Sequence, residues 1–312
     1  MMEKLYIPPK NFLPNTTIEF LRNVESIFKL KGKKVRNVAF VIGKVEKIEI
    51  LGLLLIYKFI EYTATHACFE SPQLWNSEYI KNELKRCGFW NLIQDYKQIK
   101  EEDVYRSLNF QKSDTFFIAP MPLLRGKKYD RNLFLPQIET YYAGNEDAIS
   151  VVLTCLGEIM LNFWEHAVED SQSILVASGN KHKIEIACAD TGNGIISSLL
   201  PIIGNIKKKN DKKEKERVLL KSLSKNVTSK SNTNHMGCGL WEINELVTMN
   251  KGRLHLYSEG AYVHNDFGKT KSGACAFWKG TIIYVTLPLD DPKTLKNIQC
   301  DDNFSDIQIN FQ

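Results

Sequence analysis

The stretch Leu-Gly-Glu-Ile-Met-Leu-Asn-Phe-Trp-Glu-His-Ala-Val-Glu, from Leu156 to Glu169, constrains the chain more than any other. Glu158, Asn162 and His166 recur at intervals of four, which on a helix sets them along one face. Val152, Cys155, Leu156, Ile159 and Phe163 form an apolar stripe beside them, so the same helix must lie against a core. A carboxylate and a carboxamide one turn apart suit magnesium and water chemistry. The amide offers an oxygen to a hard cation, and the carboxylate can orient or deprotonate a water. Taken alone, the pattern also describes an ordinary amphipathic helix with polar residues at its edge.

Two glycine motifs follow. Ser173–Ser178 and Lys183–Ala189 read as strands, with Gly179-Asn180 as the turn between them. The second strand runs into Asp190-Thr191-Gly192-Asn193-Gly194-Ile195. Glycines there allow a tight backbone and close ligand approach, and the aspartate can accept a hydrogen bond from an amino group such as that of adenine. Further on, His235-Met236-Gly237-Cys238-Gly239-Leu240-Trp241 opens a helix carrying Leu240, Ile243, Leu246 and Val247. A Gly-x-Gly turn feeding a helix N-terminus presents free N–H groups and the positive dipole end to a phosphate. The motif has neither the Lys-Ser/Thr of a P-loop nor the full Gly-x-Gly-x-x-Gly of a dinucleotide fold. Arg253–Ser258 reads as a strand followed by Glu259-Gly260, and Gly280-Thr281 begins a last strand, Ile282–Leu287, closed by Pro288.

Between the two motifs, residues 205–230 hold ten basic residues against Asp211, Glu214 and Glu216. This segment reads as a mobile lid with a short helix over Lys215–Leu223, its ammonium groups placed to screen phosphate charge. The net charge of +5 is concentrated there without interleaved aromatics, which argues against nucleic acid. The seven cysteines contain no Cys-x-x-Cys pair, against a zinc site or a disulfide framework and in keeping with a reducing cytosol. The N-terminus lacks the apolar run of a signal peptide, and the most apolar stretch, Ile50–Ile60, is too short for a bilayer and contains Lys58. A cytoplasmic protein without membrane attachment is expected.

The chain before residue 112 alternates strand and helix. Pro8, Pro9 and Pro14 keep the lead-in extended, and Thr16 or Thr17 caps a helix carrying Ile18, Leu21, Val24, Ile27 and Phe28, ended by Gly32. Val35–Ile42 reads as a strand, Ile48–Thr63 as an apolar helix, His66–Leu74 as a returning strand, and Glu78–Cys87 as a helix capped by Ser77 and stopped by Gly88. This predicts a small α/β domain over 1–112, a second domain over 113–295 opening with a strand at Thr115–Ala119, and a frayed tail over 296–312. Pro120 and Pro122 are expected to break the region between.

Strand, long apolar helix, strand and a short helix ending in Cys87-Gly88-Phe89 resemble the STAS fold of anti-sigma-factor antagonists. The stretch matching the phosphate-accepting motif of that family is Glu49-Ile50-Leu51-Gly52-Leu53, and it has no hydroxyl. The later motifs, in order, resemble the GHKL family of ATP-binding domains over roughly 150–288. That resemblance implies an α/β sandwich of the Bergerat type, with a mixed sheet, helices on one face, and ATP held between helices and lid. It makes Asn162 the magnesium ligand and Glu158 the catalytic glutamate. Asp190 becomes the adenine-reading aspartate, with Gly192, Gly194 and Ile195 shaping the pocket. Gly237, Gly239 and Leu240 become the phosphate-facing turn, and Thr281 the threonine beside the adenine. His166 matches the anti-sigma-type branch of the family. No histidine sits on a preceding dimerisation helix, so a sensor histidine kinase is not expected. Three readings stay open: an ATP- and Mg2+-binding regulator of a protein partner, acting in one form as a Ser/Thr protein kinase; a slow stand-alone ATPase; and a non-catalytic interaction scaffold. Homodimerisation is left open.

Overall fold

The computed structural model describes residues 4–6, 8–29, 38–40, 45–65, 78–89, 108–109, 115–123, 138–166, 173–228 and 238–295, and the single positions 92 and 136. The expected strand at His66–Leu74, the Ser77 cap, Gly32, Gly237 and the tail lie outside these residues. In chain order the strands are β1 (Lys4–Tyr6), β2 (Asn11–Phe12), β3 (Val38–Phe40), β4 (Lys47–Ile48), β5 (Leu108–Asn109), β6 (Thr115–Leu123), β7 (Ser173–Asn180), β8 (Lys183–Ala189), β9 (Arg253–Ser258), β10 (Ala261–Asp266), β11 (Lys269–Ala274) and β12 (Thr281–Pro288). The helices are α1 (Thr17–Phe28), α2 (Ile50–Thr65), α3 (Glu78–Arg86), α4 (Glu146–His166), α5 (Ile195–Ile203), α6 (Lys212–Lys221) and α7 (Gly239–Met249). No helix among the described residues is long and apolar enough to cross a membrane.

The molecule is a mixed α/β structure built on one eight-stranded sheet in the order β11-β10-β9-β12-β8-β7-β6-β5. Every neighbouring pair in it is antiparallel. This corrects the expectation of a mixed sheet. The pairs β7–β8, β9–β10 and β10–β11 are each joined by a two-residue turn, and so short a link can only reverse the chain. Strand β12 then enters between β8 and β9, antiparallel to both. Among the described residues, parallel pairing is confined to two small sheets, β1 with β3 and β2 with β4.

Strand alternation gives the sheet two apolar faces. Ile184, Ile186 and Cys188 of β8, with Leu254 and Leu256 of β9, share a buried cluster with α4, α5, α6 and α7. Ala187 and Ala189 of β8, with Tyr257, Ile282 and Tyr284, share a second cluster with α1 and α2. Helix α2 is buried on nearly every side, as a helix apolar all round must be. It starts after Ile48, because Lys47–Ile48 is drawn into pairing with β2.

Three local expectations are corrected. The turn between β7 and β8 is Lys181-His182, not Gly179-Asn180; Asn180 ends β7 and its Oδ1 accepts the N–H groups of His182 and Lys183. Strand β6 runs past Ala119 to Leu123, and its register against β7 shifts between Ile118 and Met121, which houses Pro120 at an irregularity where a missing donor is tolerated. The lysine-rich segment is helical through most of its described length. Asp211 caps α6 by accepting from the N–H groups of Lys213 and Glu214, so the helix begins at Lys212, and Val218 and Leu219 are fully buried. Strands β10 and β11 answer to no expected element.

Candidate functional site

Helix α4 forms as its stripe requires: Val152, Cys155, Leu156, Ile159 and Phe163 are all buried against the sheet. Glu158 and Asn162 are then left half-buried along the edge of the helix. The Asn162 amide nitrogen donates to the Glu158 carbonyl at 2.7 Å, which turns the amide oxygen away from the helix backbone. Helix α7 starts against these two side chains. A methyl group on Gly239 would collide with Oε2 of Glu158 and come within 3.1 Å of Nδ2 of Asn162. Only a glycine lets the α7 N-terminus approach a carboxylate and an amide this closely. Three positions separated by up to 81 residues in sequence thus meet, and the positive end of α7 lies beside the Glu158 carboxylate. His166 closes α4, with its side chain outside the described atoms, and Leu240 packs partly buried on the same core.

A second group forms where β8 ends. Asp190 is 7 % exposed, and its Oδ1 accepts the Gly192 N–H at 2.7 Å. Its backbone N–H donates to the Thr281 carbonyl, and its own carbonyl accepts Nε1 of the fully buried Trp278 at 2.8 Å. Gly280 has a φ of +96°, and a side chain there would strike the Asp190 carboxylate. Burial pushes the Asp190 carboxyl up to about 7, with the Glu259 charge adding to the rise; the N–H groups of Gly192 and Thr281 and the Lys58 ammonium pull the other way. Thr281 sits opposite Ser258 on β9, and the Ser258 hydroxyl donates to the Gly280 carbonyl.

Gly194 caps α5 and lies against Ser258 and Glu259, with no room for a side chain. The Glu259 carboxylate accepts the Ser197 N–H at 2.6 Å and the Ser197 hydroxyl, so it occupies the N-terminal turn of α5. Lys215 of α6 donates to the Glu259 carbonyl at 3.0 Å, tying the lysine-rich helix to this group. Ile195 packs on the core that α4, α5 and α7 share with β8, so both groups stand on the same face of the sheet.

Of the residues expected from sequence, Glu158, Asn162 and Gly239 converge, and so do Asp190, Gly192, Gly194 and Thr281. Ser258, Glu259 and Trp278 complete the second group without having been singled out. The signal for Glu259 was its place in a Glu-Gly turn, where it has a φ of +47°. Trp278 also reaches the opposite face, its ring 4.9 Å from that of Phe28 on α1. The Phe277 N–H donates to Glu25 of the same helix at 2.8 Å.

Another group lies on the face toward α1 and α2. His255, His264 and Asp266 present ligand atoms within 4.8 Å of one another. None of the three was expected to act together. No protein-family model, curated protein or solved structure matches the chain.

Proposed function

We propose that the chain binds ATP with magnesium and uses the nucleotide to control a protein partner. The observation that carries the reading is the meeting of Glu158, Asn162 and Gly239 at the start of α7. A helix N-terminus opened by glycine favours phosphate, a carboxamide oxygen suits a hard cation, and a carboxylate beside both can orient a hydroxyl. Asn162 would hold the magnesium ion, which would screen phosphate charge while keeping several of its waters. Asp190, beside Gly192 and Thr281, would accept the adenine amino group. The likeness of these motifs to GHKL domains supports the same assignment. Glu158 would orient either a partner's Ser or Thr hydroxyl or a water.

Calorimetry with Mg-ATP tests the reading. One nucleotide should bind per chain, and Asp190→Asn should weaken it by roughly 10- to 100-fold, the worth of a hydrogen bond to a charged group. Glu158→Gln should keep binding and lose phosphoryl transfer. Absence of magnesium-dependent binding, or equal binding by Asp190→Asn, would overturn the proposal. Phosphosite mapping of proteins captured with and without Mg-ATP separates transfer to a partner from hydrolysis.

A further inference from the structure

We propose that His255, His264 and Asp266 form a binding site for a divalent transition-metal ion of the zinc class, separate from the nucleotide site. The layout follows from strand geometry. His264 and Asp266 are two apart on β10, so both point to one face, and His255 lies directly across from His264 on β9. Their ligand atoms lie within 4.8 Å of one another. Tetrahedral zinc places ligand atoms roughly 3.3 Å apart, so small side-chain turns bring the three into range. The two rings are stacked with centroids 4.0 Å apart, and binding would unstack them so that their lone pairs converge.

The hydrogen bonding around His255 supplies an independent observation. The residue is 4 % exposed, its Nε2 lies 3.0 Å from Asp266, and its Nδ1 is buried with no hydrogen-bond partner among the described residues. A neutral imidazole has one N–H and one lone pair. With the proton on Nε2, Asp266 is served and Nδ1 is stranded. With the proton on Nδ1, the Nε2 lone pair faces a carboxylate oxygen and is repelled. A metal ion at Nε2 removes the conflict, because it binds both that lone pair and the carboxylate. The Nδ1–H would then donate to the Pro14 carbonyl, the backbone group that interacts with this imidazole. Metal-bound imidazoles ordinarily make such an outer bond.

His264 has its own outer partner in the Tyr257 hydroxyl, 2.9 Å from Nε2. The Tyr257 hydroxyl points to the Pro14 carbonyl at 3.4 Å, so it accepts from His264 and leaves Nδ1 of His264 as the ligand nitrogen. Two imidazoles and one carboxylate suit zinc, cobalt or copper rather than magnesium. Asp266 is 37 % exposed, which gives the ion access and leaves a fourth position to water. Arg253, 3.8 Å from Asp266, and Lys271, across from His264, oppose the charge of the ion and weaken the site.

The test is Co2+ titration of the metal-stripped full chain, read by visible absorption. One Co2+ per chain should bind with ligand-field bands of a four- or five-coordinate site, and Zn2+ but not Mg2+ should displace it. Asp266→Asn should weaken binding at least about 10-fold and His264→Gln at least about 100-fold, while Arg253→Met tightens it. Both ligand variants alter partly exposed side chains, and circular dichroism checks that they and His255→Gln fold. Asp190→Asn should bind Co2+ as the parent does, which keeps this site distinct from the nucleotide site. Lack of stoichiometric Co2+ binding, or equal affinity in folded His264→Gln and Asp266→Asn, would overturn the proposal.

Discussion

Asp190→Asn should change the pH dependence of stability in a calculable way. The Asp190 carboxyl titrates at about 7 in the folded chain against an ordinary value of 3.8, chiefly because it is buried. Between those values the folded state keeps a proton that the unfolded state has released. Stability therefore falls as pH rises through that window and levels off above it. Integrated from pH 5 to pH 8, the loss attributable to this one group is about 2.5 kcal/mol. Asparagine has no such titration, so the variant should gain about that much on the parent over the same interval. Urea denaturation of both proteins at the two pH values, without nucleotide, measures it. The absolute difference at either pH includes the change in hydrogen bonding around Gly192 and Thr281, but the change in that difference with pH isolates the proton. If the variant and parent differ by the same amount at both pH values, the buried carboxyl is not the group described here.

Other substitutions probe the remaining parts. Gly239→Ala drives a methyl into Glu158 and should lower Mg-ATP affinity at least about tenfold; calorimetry showing parental affinity would count against the convergence of α4 and α7 as a binding site. Asp211→Ala removes the cap of α6 and should cost about 1 kcal/mol in urea unfolding. Lys58, fully buried and paired with Glu61, should cost about 3–5 kcal/mol when replaced by methionine, with much of the loss recovered in Lys58→Met/Glu61→Leu.

How far the sequence reached can be argued residue by residue. The helix at 146–166 was legible because its stripe and polar edge keep strict helical spacing, β8, β9 and β12 were bounded by Asp190, Gly260 and Gly280, and α7 was opened by Gly239. Strand β11 was not legible, since Lys269–Ala274 carries almost no apolar residue and is exposed along most of its length. Its turn is Phe267-Gly268, both with positive φ, and phenylalanine is not a residue that announces a left-handed turn. Reading Glu259-Gly260 as a two-residue turn would have set His255 across from His264 from sequence alone. That α1 and α2 cover the second face of the sheet depends on contacts between Trp278 and Phe28 and between β8 and α2, which no local pattern encodes. In the lysine-rich segment the helix was legible but its start was not: Val218 and Leu219 mark its buried side, while the Asp211 cap that sets its first residue at Lys212 stands among lysines and was passed over.

The polar, lysine-bearing character of β11 has a consequence for how the molecule behaves in company. As the last strand on its side of the sheet, it offers a row of backbone donors and acceptors to any passing extended chain. Lys269 and Lys271 alternate along it, and a second copy docking edge to edge would bring these ammonium groups close together. Replacing both with isoleucine would leave the fold's own contacts largely intact while removing that repulsion. The sequence bias that concealed this strand from pattern reading is thus the same bias that sets like charges along the edge at β11.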